Sequence, residues 1–81
     1  MSQITIGRNA QSTIIVGAEY NTVSGNHATI SYDGQSYILQ DHSTNGTYIN
    51  GIRIPPMVET LLTHDAKLRL CNELFIFCLE G

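Results

Sequence analysis

The chain has 81 residues and a formal charge of −3, with seven carboxylates against four Lys and Arg, and at this length a single domain over residues 1–81 is expected, one that buries about 60% of its unfolded surface. Arg8, Arg53, Lys67 and Arg69 are too few and too scattered along the chain for the basic stripe that nucleic acid requires, so nucleic acid is excluded as the main partner. No apolar run approaches the ~20 residues that span a bilayer and the polar start has no signal-like core, so no membrane role and a cytoplasmic protein are expected.

The apolar residues are largely β-branched or aromatic, with turn formers every few positions, a pattern of strands without a helix. Gln3-Ile4-Thr5-Ile6 alternates with period two and stops at Gly7. Residues 13–16 form a second apolar run, closed by Gly17 and followed by a polar loop over residues 18–22. Residues 27–32 alternate into Asp33-Gly34 and out through residues 35–39. Read as a two-residue type I′ connection, Asp33-Gly34 sets Ile30 opposite Tyr37 and Ala28 opposite Leu39, leaving Thr29, Ser31 and Ser36 on the other face.

Asn50-Gly51 predicts a second hairpin, with Ile49 against Ile52, Thr47 against Ile54, and Tyr48 facing Arg53 on the opposite side. Pro55-Pro56 ends that strand, because proline offers the ladder no donor. A short run over residues 58–62 leads to a turn at His64-Asp65. Residues 66–70 then pair with 75–79 across Asn72-Glu73, which places Leu68 against Phe77, Leu70 against Phe75 and Lys67 against Cys78, with Cys71 opposite Leu74. In that register the two cysteines stand on the order of 13 Å apart, beyond the roughly 7 Å between Cα atoms that a disulfide tolerates. Their spacing also fits no metal knuckle or redox pair, so free thiols are expected. Many short, evenly spaced strands predict an all-β sandwich or barrel.

Three polar clusters lie between strands: Gly7-Arg8-Asn9, Ser24-Gly25-Asn26-His27, and Asp41 through Thr47. In a sandwich such loops gather at the ends of the sheets. Brought together, Arg8 gives a charge-assisted bidentate contact to an anion. Ser24 and Thr44 add hydroxyl donors, and the Asn45 amide both donates to and accepts from a peptide backbone. That set matches a phosphate carried on an extended peptide. Taken singly the residues mean less: Arg8 reads as a solvated side chain, Ser24 as a loop bond, and Asn50-Gly51 as a turn. His42 and His64 read as exposed turn residues, and no two histidines have metal-ligand spacing, so neither metal nor cofactor is expected.

In order and spacing, the elements Ile6-Gly7-Arg8, Val23-Ser24 with His27 three residues on, and Asp41…Ser43-Thr44-Asn45-Gly46-Thr47…Asn50-Gly51 resemble the forkhead-associated (FHA) domain. The likeness continues through Leu61 and Asp65 to the Phe75…Phe77 strand. It implies a β-sandwich of two mostly antiparallel sheets whose loop rim recognises phosphothreonine on a protein partner, in a signalling and scaffolding role. By the resemblance Arg8, Ser24 and Thr44 match phosphate contacts, and Asn45 matches the residue that fixes the ligand main chain. His27 matches a buried brace of the binding loops, and Gly7 and Gly46 match backbone turns.

Two departures stand out. Relatives commonly carry Arg or Asn directly after the binding-loop serine, where this chain has Gly25. Relatives also begin with a strand upstream of the Gly-Arg strand, and here that first strand is expected to be missing, its loss covered by rearranged pairing or weak self-association. Gly25 makes a phosphate-independent interaction module of the same fold the second reading. Catalysis ranks below both: Ser24, His27 and Asp41 nominally supply a triad, but no strained nucleophile elbow is present, and no enzyme activity is expected.

Overall fold

Alternation along short β-branched runs makes strands wherever the turn residues allow, and the computed structural model, which describes residues 2–63, 66–71 and 77–78, contains no helix among them. The strands are β1 (Ser2–Gly7), β2 (Ile14–Ile15), β3 (Ala28–Tyr32), β4 (Tyr37–Asp41), β5 (Thr47–Ile49), β6 (Ile52–Arg53), β7 (Thr60–Leu62), β8 (Lys67–Leu70) and β9 (Phe77–Cys78). They form two sheets, ordered β2-β1-β3-β4-β7 and β6-β5-β8-β9. Every strand pair is antiparallel except β1 with β2. This is the two-sheet, mostly antiparallel sandwich that the sequence predicts.

The inner faces supply the core. Ile6, Val16, Val23, Ala28, Leu39 and Leu62 from the first sheet and its loops meet Ile54, Ala66, Leu68 and Leu70 from the second sheet and its loops. Burial of this apolar layer, at roughly 25 cal/mol per Å², is the main force holding the sheets together.

The first hairpin departs from the expected register. Tyr32 pairs with Tyr37, Ile30 with Leu39 and Ala28 with Asp41, so residues 33–36 make a four-residue connection. A type I′ turn needs φ > 0 at both central residues. Gly34 meets that condition at φ 98°, and Asp33 does not. Asp33 instead accepts the N–H groups of Gln35 and Ser36 at 2.9 and 2.8 Å, an Asx turn that takes two more residues into the loop. The shift is even, so the side chains of β3 and β4 keep their expected faces, while Ser36, expected on a strand, falls in the loop.

The second hairpin follows the expected register. Asn50 and Gly51 have φ of 51° and 84°, Tyr48 pairs with Arg53 and Ile49 with Ile52, and Ile54 N–H donates to the Thr47 carbonyl at 3.0 Å. Leu68 pairs with Phe77 and Lys67 with Cys78, also as expected. The expected turns at 64–65 and 72–73, and the pairings of Leu70 with Phe75 and Cys71 with Leu74, lie outside the described residues. Cys71 is a buried free thiol.

One correction concerns charge. The cations are scattered in sequence but not in space. Tyr48 lies between Arg53 on β6 and Arg69 on β8, and period two puts Lys67 on the same outer face as Arg69. Three of the four Lys and Arg therefore share one side of the second sheet.

Candidate functional site

The first polar loop leaves β1 at Gly7 and is fastened along its length to the second. Arg8 N–H donates to the Ser24 carbonyl at 3.2 Å and Asn9 N–H to the Gly25 carbonyl at 3.0 Å. This approach demands glycine, since a Cβ at residue 7 would stand 2.0 Å from the Gly25 carbonyl oxygen. Gly7 therefore serves close contact between loops. Arg8 is exposed, and its Nε donates to the Val23 carbonyl. That bond orients the guanidinium and leaves its terminal NH2 groups pointing onward.

The second loop is fastened to the third by His27, which is fully buried. Its Nδ1 accepts the Ser24 N–H at 3.1 Å, so the ring proton resides on Nε2 and is donated to the Gly46 carbonyl at 2.9 Å. Burial pushes the His27 pKa below the ordinary histidine value, partly opposed by the Gly46 carbonyl and the charge of Asp41. The neutral form is the one that both bonds require.

The third loop is organised by Asp41, also fully buried. Its Oδ1 accepts Ser43 N–H at 3.1 Å, Ser43 Oγ–H at 2.5 Å and Thr47 Oγ1–H at 2.7 Å. Ser43 Oγ in turn accepts the Gly46 N–H at 2.8 Å. Oδ2 finds no partner among the described residues. Gly46 sits at φ 98°, and the Arg53 guanidinium packs where a Cβ would project, with Nε 2.7 Å from that point.

The four residues singled out in the sequence converge on this rim. Ser24 Oγ accepts the Thr44 N–H at 3.2 Å, keeping its own proton free to donate. The Thr44 side chain is exposed. Asn45 Nδ2 donates to the Thr22 carbonyl at 2.7 Å, which fixes the amide plane with Oδ1 and the second Nδ2 proton unspent. The resulting surface is a row of hydrogen-bond donors with Arg8 as the cation of the first loop and Arg53 packed beside Gly46, suited chemically to a small anion on a backbone. Among the described residues there is no cluster of three metal-ligating side chains.

A catalytic arrangement is not what these contacts make. His27 touches Ser24 through the backbone N–H, while the Ser24 hydroxyl faces Thr44. Asp41 spends Oδ1 on Ser43 and Thr47. Sequence reasoning missed Arg53 at the rim, the Thr22 and Val23 carbonyls that hold Asn45 and Arg8, and the ordering role of Asp41. Only the last had a signal, the Asp-x-Ser spacing of an Asx turn.

The family model for the FHA domain matches residues 4–71. Among solved structures, an engineered FHA with the Myc-pTBD peptide is 27% identical with a TM-score of 0.80, over 90% of this chain and 57% of that one. The N-terminal FHA domain of S. cerevisiae Rad53p, in complex with a phosphothreonine peptide, is 28% identical with a TM-score of 0.76, over 83% of this chain and 54% of that one. Mycobacterium tuberculosis EmbR, in complex with a low affinity phosphopeptide, is 28% identical with a TM-score of 0.81, over 98% of this chain and 20% of that one. This chain thus spans little more than half of the first two and a fifth of the third. Among curated proteins none matches. By the extent of the family match and its agreement with the two-sheet fold, this chain belongs to the FHA domain family.

Proposed function

We propose that the chain is a non-catalytic module that binds phosphothreonine on a protein partner, in a signalling or scaffolding role. The observation that carries this reading is the meeting of three loops at one rim, tied by the Thr44 N–H to Ser24 Oγ and by Asn45 to the Thr22 carbonyl. Arg8, Ser24 and Thr44 are the phosphate contacts in this reading, and Asn45 holds the ligand main chain. Solved relatives that carry phosphothreonine peptides or phosphopeptides support it. Each hydrogen bond to the charged phosphate contributes about 1.5–3 kcal/mol, so three or four give a modest, reversible affinity.

The test is an NMR titration with a phosphothreonine peptide and its unphosphorylated twin. The phosphorylated form should shift the amides of Arg8, Ser24, Thr44 and Asn45, and the twin should leave them in place. Equal shifts would favour the second reading, a phosphate-independent interaction module. That reading draws on Gly25, which brings no side-chain donor to the rim.

A further inference from the structure

We infer that the outer face of the β6-β5-β8-β9 sheet is a docking surface for an acidic peptide segment, which on the reading above is the continuation of the phosphothreonine ligand itself. Three cations share this face in a chain whose net charge is negative. Arg53 and Arg69 flank Tyr48 on neighbouring strands, and Lys67 lies two residues from Arg69. Strands β5, β6, β8 and β9 contain no Asp or Glu, so no carboxylate on these strands neutralises the face.

The geometry of each cation fits this role. The Arg69 guanidinium stacks 4.3 Å above the Tyr48 ring centroid. That contact holds the cation over the face of the ring. Arg69 Nε is itself buried and without an acceptor among the described residues, so the terminal NH2 groups are what this guanidinium offers a carboxylate. Lys67 and Arg53 are exposed. A depression lined by Asn50, Gly51, Lys67, Leu68 and Arg69 opens beside them.

Continuity with the rim identifies the occupant. Arg53 packs on Gly46, the residue after Asn45, so a peptide crossing Asn45 and leaving over Gly46 meets Arg53 first. From Arg53 to Arg69 is two strand spacings, roughly 10 Å, or about three residues of extended peptide. An acidic run of that length therefore reaches both arginines. Three cations are too few to hold nucleic acid or a bilayer against the chain's overall negative charge, and enough to pair with a few carboxylates.

The experiment compares one phosphothreonine core peptide with neutral flanks against versions carrying about four Glu on either side, a length set by the strand spacing. One extension should tighten binding about tenfold at low salt and lose the gain as salt is raised. The Lys67→Gln, Arg69→Gln double variant should bind the neutral-flanked peptide like the wild type and lose the gain. Should uncovering Tyr48 prevent folding, Lys67→Gln alone should lose part of it. The inference is overturned when neither extension tightens binding, or when the gain survives in the variant. An unphosphorylated Glu-run peptide separates this inference from the proposed function, because it should shift the Tyr48, Lys67 and Arg69 amides whether or not any phosphopeptide binds. Silence of those amides, or shifts produced by duplex DNA or anionic vesicles and not by the peptide, would equally overturn it.

Discussion

The imidazole of His27 donates from Nε2 to the carbonyl of Gly46 at 2.9 Å, across nineteen positions of chain and wholly out of solvent. The same carbonyl accepts the Cys71 N–H at 2.9 Å, so Gly46 is held from the second sheet and from the second loop together. With Nδ1 fixed on Ser24, one neutral ring sets the distance between the Ser24 and Asn45 loops.

This gives a pH dependence with a definite sign. Burial, partly opposed by Gly46 and Asp41, holds the folded pKa of His27 below the unfolded value of 6.5. Below that value the unfolded chain takes up a proton that the folded chain refuses, so stability falls as pH falls. The contribution is complete above the unfolded pKa and is lost down to the depressed folded pKa. The melting temperature should therefore begin to drop as pH falls below about 7.5 and go on dropping below the ordinary histidine value, with a flatter profile in His27→Ala. That variant should also be less stable by about 2–3 kcal/mol, since it leaves the Ser24 N–H without its acceptor. An NMR titration showing His27 with a pKa at or above the ordinary value would refute the assignment.

Arg8→Ala should separate binding from stability. The side chain is exposed and its loss removes a single bond to the Val23 carbonyl, so the melting temperature should move by no more than about 1 kcal/mol allows. Phosphopeptide affinity should fall at least tenfold. Arg8→Lys should recover only part of it, because an ammonium cannot bond Val23 and grip the anion as a fork together. Calorimetry with one phosphothreonine peptide reads both variants, and undiminished binding by Arg8→Ala would take Arg8 out of the site.

Gly7→Ala tests the fastening of the first loop to the second. The new methyl would stand 2.0 Å from the Gly25 carbonyl oxygen and 3.0 Å from the His27 nitrogen, both backbone atoms. The loops must then separate, at a cost of about 2–3 kcal/mol. Denaturant unfolding should show that loss, and binding should weaken as Arg8 withdraws from Ser24. A variant as stable as the wild type would mean that this contact is easily relaxed.

Gly25→Arg should strengthen the phosphate site. Its φ is not positive, so an L side chain is tolerated, and the new Cβ would meet Asn9 Oδ1 at 2.8 Å. Asn9 is exposed and its amide is the end of a flexible side chain, so it swings aside at little cost. One added charge-assisted contact of about 1.5–3 kcal/mol raises affinity about tenfold or more and steepens the salt dependence. Adding Asn9→Ala should preserve or enlarge the gain. If both variants fold and bind no better at either of two salt concentrations, residue 25 does not face the phosphate.

The fold class was legible in the sequence because it rests on local signals. Alternation at residues 3–6 and 27–32 fixed strand faces, and Asn50-Gly51 fixed one hairpin to the residue through its two positive φ angles. The ordered spacing of Gly7-Arg8, Ser24 and Asn45 pointed to one rim, since loops of a sandwich collect at its ends. What the sequence left undecided is of two kinds, a choice between competing local turns and contacts between residues distant along the chain. The first hairpin took a four-residue loop because the Asp33 carboxylate found Gln35 and Ser36, a choice between two turns of similar local plausibility. Arg53 reached Gly46, and Arg53, Lys67 and Arg69 came to one face, only once β5 had paired with both β6 and β8. A strand's own period places a side chain on a face. Which charges share that face is decided by the neighbours in the sheet.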